Sequence, residues 1–89
     1  MVELRLSAEA DADLVDIWRW GFERFGAESA DAYMRTLGEA FDLLRRFPEA
    51  GAVRDDVRPP VRSFGCRSHR LFYDLGEDGV LVVRCCVSG

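Results

Sequence analysis

Apolar residues along this chain follow two distinct spacings, and each predicts its own kind of element. From Val2 to Leu6 apolar and charged residues alternate, the period of a short half-buried strand. Ser7 then stands where a helix N-cap belongs, with Glu9 and Asp11 in the following turns, where the helix dipole favours acids. Ala10, Leu14, Ile17, Trp18, Gly21 and Phe25 recur at helical spacing, and Gly26 predicts the stop. A second helical series, Ala30, Tyr33, Met34, Leu37, Phe41 and Leu44, finishes with Arg45 and Arg46 at its negative end before Phe47-Pro48. Two helices joined by so tight a connection form an antiparallel hairpin.

Residues 51–60 are polar and close on a proline pair, a loop. Beyond it the period changes to two. Val61 to Phe64 predicts a strand, Gly65 to Ser68 a turn, His69 to Leu75 a second strand. Gly76 to Gly79 predicts a hairpin loop, and Val80 to Val87 a third strand. The order strand, two helices, three-stranded antiparallel meander is an α+β domain spanning residues 1–89, with the helical hairpin on one face of the sheet. In the last two strands Leu71, Tyr73 and Leu75 oppose Phe72, and Val80 and Val82 oppose Leu81 and Val83. Strands apolar on both faces need cover on both. One helical hairpin covers only one, so the other face is expected to close on a partner.

Charge sharpens that expectation. All twelve basic residues are arginine. Residues 1–50 carry eleven acids and six arginines, a net of −5, whereas residues 51–89 carry five acids and six arginines, a net of +1. Arg58, Arg62, Arg67, Arg70 and His69 stand between Val57 and Tyr73 with no carboxylate among them. An acidic chain argues against general nucleic-acid binding, but this stretch suits an acidic partner. Runs of apolar residues are too short for a membrane span or a secretory leader, which predicts a cytoplasmic protein. Cys66, Cys85 and Cys86 are odd in number, and with a single histidine they offer no zinc spacing. Reduced thiols, no metal and no cofactor are expected.

Catalytic motifs are absent from the pattern: no phosphate-cradling glycine loop, no nucleophile elbow. One constellation remains. His69, Arg67, Arg70 and Tyr73 are the residue types that acid–base cleavage of RNA uses. The plainer role for His69 is a hydrogen bond to backbone where the turn enters the strand.

Taken in order, a longer series of residues resembles a known family. It comprises Leu6-Ser7 with Ala10, Asp13-Leu14 with Ile17-Trp18, Phe25-Gly26, Ala30 and Tyr33, and Pro48 with Gly51. It continues through Arg58, Arg62-Ser63, Ser68-His69 with Phe72-Tyr73, and Val82-Val83-Arg84. From Leu6 to Arg84 the chain resembles a ParE-type toxin of the RelE/ParE superfamily of bacterial toxin–antitoxin operons. The resemblance implies a RelE/ParE-like βααβββ fold without ribosome-dependent ribonuclease residues, and DNA gyrase as target. It also implies a ParD-like antitoxin. That protein's DNA-binding half represses the operon, so this chain itself binds no specific DNA sequence, and its flexible half wraps the toxin's hairpin and sheet. Trp20, Arg58, Arg62, Phe64, Arg70 and Phe72 are the expected antitoxin contacts.

The resemblance breaks after Arg84, where the family continues into a histidine- and arginine-bearing tail and this chain reads Cys85-Cys86-Val87-Ser88-Gly89. A reading-frame shift is one account, because a displaced frame allows Val-Leu-Arg-Gln-Arg-Met-Asn; divergence at a tolerant terminus is the other. A folded protein that binds antitoxin but poisons gyrase weakly or not at all is expected. Two rivals stand beside this reading: a RelE-like messenger-RNA interferase using His69, Arg67, Arg70 and Tyr73, and a non-toxic relic that only titrates its antitoxin.

Overall fold

Seven elements follow one another in a computed structural model that describes residues 1–56 and 60–87. They are β1 (Glu3–Leu6), α1 (Ala8–Phe25), α2 (Ala27–Arg46), β2 (Ala52–Arg54), β3 (Val61–Cys66), β4 (His69–Gly76) and β5 (Gly79–Val87). The sheet runs β1-β5-β4-β3-β2. β1 lies parallel to β5 and every other pairing is antiparallel. Both helices pack on one face of the sheet. There Ala10, Ile17, Leu37 and Leu44 meet Leu71, Tyr73, Val80, Val82 and Cys85 in a single core.

Ser7 sets the first junction. Its Oγ accepts from the Ala10 amide at 3.0 Å, capping α1, and donates to the Val83 carbonyl at 2.9 Å. Its own amide donates to the Val82 carbonyl at 2.9 Å. One residue therefore closes a helix end and ties it to the sheet. Gly26 sets the second. At φ 90° it occupies left-handed space that a side chain would strain. Its amide caps α1 on Phe22, and its carbonyl accepts from Ala30 in α2. The hairpin turns on that single residue.

Three details differ from the sequence pattern. The polar loop carries a short strand, β2, which adds a fifth strand to the sheet. β3 runs through Gly65 to Cys66, so the expected four-residue turn shrinks to Arg67-Ser68, with Arg67 at φ 56°. Gly65 serves the strand because the Arg70 guanidinium lies 3.3 Å from where its Cβ would stand. And β5 bulges between its pairings to Phe72 and Tyr73, which re-aims Arg84.

Tyr73 explains why the loop folds back into the sheet. It is fully buried, and its hydroxyl donates to the Pro48 carbonyl at 2.6 Å while accepting from the Gly51 amide at 2.9 Å. A Cβ on Gly51 would fall 2.7 Å from the Tyr73 ring and 2.9 Å from the Ser63 carbonyl. Only glycine lets the loop descend this far. Tyr73→Phe leaves a buried amide without its acceptor and is expected to cost about 1–3 kcal/mol, measured as a lowered urea midpoint at unchanged slope.

A matching pin holds the β3–β4 turn. Tyr33 on α2 accepts from the Ser68 amide at 3.2 Å, and its oxygen lies 2.6 Å from Nδ1 of His69. Tyr33 and His69 thus share one hydrogen bond, whose direction follows the imidazole tautomer. His69 is only 3% exposed, and burial lowers its pKa below the ordinary imidazole value. Its folded state resists protonation that the unfolded chain accepts. The contribution of His69 is therefore constant above pH of about 6.5, and stability falls as pH drops below it. His69 is the single histidine, so urea midpoints at pH 7.5 and 5.5 isolate it: the wild-type chain loses stability between them and His69→Asn does not.

Candidate functional site

The sheet has one covered face and one open face, and pairing register sorts the side chains between them. Partners across antiparallel strands share a face. Ser63, paired with Phe72, and Gly65, paired with Arg70, lie on the open side with Leu81. Phe72 and Leu81 are half-buried although no helix covers them. Arginine side chains lie across this surface instead. The Arg54 guanidinium stands 5.8 Å over the Phe72 ring, within cation–π range. Arg70 donates to Ser63 Oγ at 3.3 Å, which satisfies a hydroxyl that is otherwise buried. Arg54 is in turn gripped by Asp56 through two hydrogen bonds of 3.0 and 2.8 Å. Apolar Phe72 is thus covered on this side by an arginine stem rather than by a helix.

Of the expected antitoxin contacts, Arg70 and Phe72 share that face. Arg62 and Phe64 do not join them. Arg62, paired with Tyr73, lies on the helix side and donates to the Gly51 and Glu49 carbonyls at 2.8 and 3.3 Å. It anchors the loop. Phe64, paired with Leu71, packs against the core. Arg58 lies outside the described residues.

Trp20 belongs to a second surface, the groove between α1 and the end of β5. This cleft of about 440 Å³ is lined by Ile17, Trp20, His69, Cys85 and Val87, with Asp13, Asp16 and Arg84 at its charged side. Trp20 is 39% exposed. Its ring meets His69 edge-on at 6.0 Å and Phe25 at 5.9 Å, with the Arg24 guanidinium 5.4 Å above it. Asp13 fixes the wall: it accepts two hydrogen bonds from Arg84, at 2.7 and 3.1 Å, and one from the Cys85 amide at 2.9 Å. Those bonds hold its carboxyl below the usual carboxylate range. Burial pushes the Cys85 thiol up to about 12, so it stays protonated and inert.

The four residues considered for RNA cleavage are dispersed. His69 is buried beneath Trp20, and the Tyr73 hydroxyl is spent on Pro48 and Gly51. Arg70 lies on the opposite face, and Arg67 is exposed at the turn. The sequence pattern missed Arg54, whose three-residue strand left too short a signature. It also missed the Asp13–Arg84 clamp, which joins residues 71 positions apart.

The family model for the ParE toxin of the type II toxin–antitoxin system parDE matches residues 4–85. A toxin named ParE1 from Mycobacterium tuberculosis is 39% identical over 80 residues, which cover 89% of this chain and 82% of that one. A toxin also named ParE1 from Caulobacter vibrioides is 36% identical over 76 residues, 85% of this chain and 79% of that one. In three dimensions a chain of the chromosomal ParDE system from P. aeruginosa superposes with a TM-score of 0.86 at 21% identity, over 100% of this chain and 98% of that one. With the expected βαα order, the antiparallel meander and the Ser7, Tyr33, Pro48 and Gly51 positions all in place, the chain belongs to the ParE toxin family of type II toxin–antitoxin systems.

Proposed function

We propose that this toxin is neutralised by a ParD-like antitoxin, that its target is DNA gyrase in the cytoplasm, and that it acts by binding rather than by catalysis. The open sheet face carries this reading: half-buried Phe72 lies under Arg54 beside the Arg70–Ser63 bond, and half-buried Leu81 lies between its strand partners Arg5 and Asp74, with no helix above them among the described residues. An extended segment alternating apolar and acidic residues suits that surface, its apolar groups on Phe72 and Leu81 and its carboxylates on the arginines. The groove beside Trp20, between α1 and the last residues of β5, offers the same partner an apolar anchor. The association of the P. aeruginosa neighbour with a ParDE system supports a ParD-type partner. The dispersal of His69, Arg67, Arg70 and Tyr73 favours binding over message cleavage.

Affinity for a co-expressed ParD-like antitoxin tests the surface. Arg70→Glu and Phe72→Ala are each expected to weaken it by about tenfold or more, the first with a strong salt dependence. Arg62→Glu, by contrast, is expected to lower stability, because its guanidinium holds the loop. Unchanged affinity of the Arg70 and Phe72 variants at low salt would reject the assignment. Target and mechanism separate in two assays: inhibition of purified gyrase supports the reading, and translation-dependent message cleavage that His69→Ala abolishes replaces it.

A further inference from the structure

Helix α2 carries a second pattern that its packing does not use. Asp31, Arg35, Gly38, Asp42 and Arg45 succeed one another at spacings of four, three, four and three residues. That rhythm lays side chains along one seam of a helix. The core contacts of α2 come from a different stripe, Ala30, Leu37, Ala40 and Leu44. The seam faces outward.

Two observations mark it. Gly38 sits mid-helix with nothing within 4 Å of where a Cβ would stand. Packing among the described residues gives no reason for a glycine that costs about 1 kcal/mol against alanine. It leaves a notch where another backbone can approach. Beside the notch runs a groove of about 530 Å³, with half-buried Leu4 and Phe41 between Arg35, Asp42 and Arg45, and exposed Glu39 at its flank, outside the seam. The charges are also ordered: negative, positive, glycine, negative, positive. Asp31 and Arg45 are each seven residues from Gly38, and Arg35 and Asp42 stand three and four residues away.

We propose that this seam is an interface with a second copy of the chain, two α2 helices crossing antiparallel with Gly38 at the two-fold axis. In that arrangement Asp31 of each copy faces Arg45 of the other, and Arg35 faces Asp42. A parallel pairing would set every charge against its like. The sign pattern is its own complement only under an antiparallel two-fold, the symmetry of an isologous dimer. Arg45 donates from Nε to the Val2 carbonyl at 3.3 Å, which leaves its terminal nitrogens to meet a carboxylate, and the other charges are more open. Arg35 has no ion-pair partner among the described residues. Asp31 accepts one hydrogen bond, from Trp18 Nε1 at 3.0 Å, which leaves its second oxygen open. The Asp42–Arg45 contact within the helix is long, 3.8 Å, and exposed. Close approach at Gly38 brings the partner's side chains over Leu4 and Phe41. The interface shares no residue with the open sheet face or the Trp20 groove, so a dimer leaves both available.

Sedimentation equilibrium of the full chain at low salt, up to about 1 mM, tests the proposal. A monomer–dimer equilibrium is expected. Arg35→Glu and Asp42→Arg are each expected to weaken it by at least about tenfold. The double variant is expected to recover most of the loss, because the same pairs re-form with signs exchanged. Residues 35 and 42 are seven apart on one helix and do not meet within a chain, so recovery reports contact between copies. Gly38→Leu is expected to abolish dimerisation while leaving antitoxin affinity unchanged. A chain that stays monomeric throughout overturns the proposal, as does a double variant no better than the singles. Loss of antitoxin binding in Gly38→Leu, with folding intact by circular dichroism, overturns it too and assigns the seam to the antitoxin.

Discussion

A strand of four residues cannot cover a neighbour of nine, and this mismatch between β1 and β5 governs the rest of the molecule. Pairing along β1 ends where Leu6 meets Val82, and from Val83 onward β5 would present bare backbone to solvent. The chain closes that edge with side chains. Ser7 takes the Val83 carbonyl and Asp13 takes the Cys85 amide. Because both residues belong to the start of α1, the same bonds dock the helix along the strand. Its position over the sheet, and hence that of α2 behind it, follows from how the edge was closed.

The two surfaces of interest are what this solution leaves over. Asp13 reaches only as far as Cys85, so beyond it α1 and β5 diverge and the cleft beside Trp20 opens. With both helices committed to one side, Phe72 on the other is sheltered by the Arg54 side chain. Neither surface is a defect of packing. Each follows from a small domain that has one helical layer and five strands.

Much of this was legible in the sequence wherever the cause was local. Ser7, Gly26 and the Phe47-Pro48 stop announce helix ends through capping chemistry that involves near neighbours. The meander announces itself through period two. What escaped depends on contacts distant in sequence. β2 exists because Tyr73 and Arg62 pull the Pro48–Gly51 loop onto the sheet, and its own three residues carry no usable period. Gly65 resembles a turn residue, but it is the platform on which Arg70 lies. Among the expected partner contacts, Arg70 and Phe72 separate from Arg62 and Phe64 only once the register is known. In a strand, one residue of offset sends a side chain to the opposite face.

The parallel pairing of β1 with β5 also imposes a schedule on the newly made chain. Leu4 aligns with Val80, a partner synthesised 76 residues later. At about 5–20 residues per second, the first strand waits about 4–15 s for its neighbour to be made. The helical hairpin can form meanwhile from local contacts, but Ser7 has no Val83 to hold and Asp13 no Cys85. The fold is therefore sealed only when its last strand emerges, and a nascent toxin cannot mature piecemeal on the ribosome.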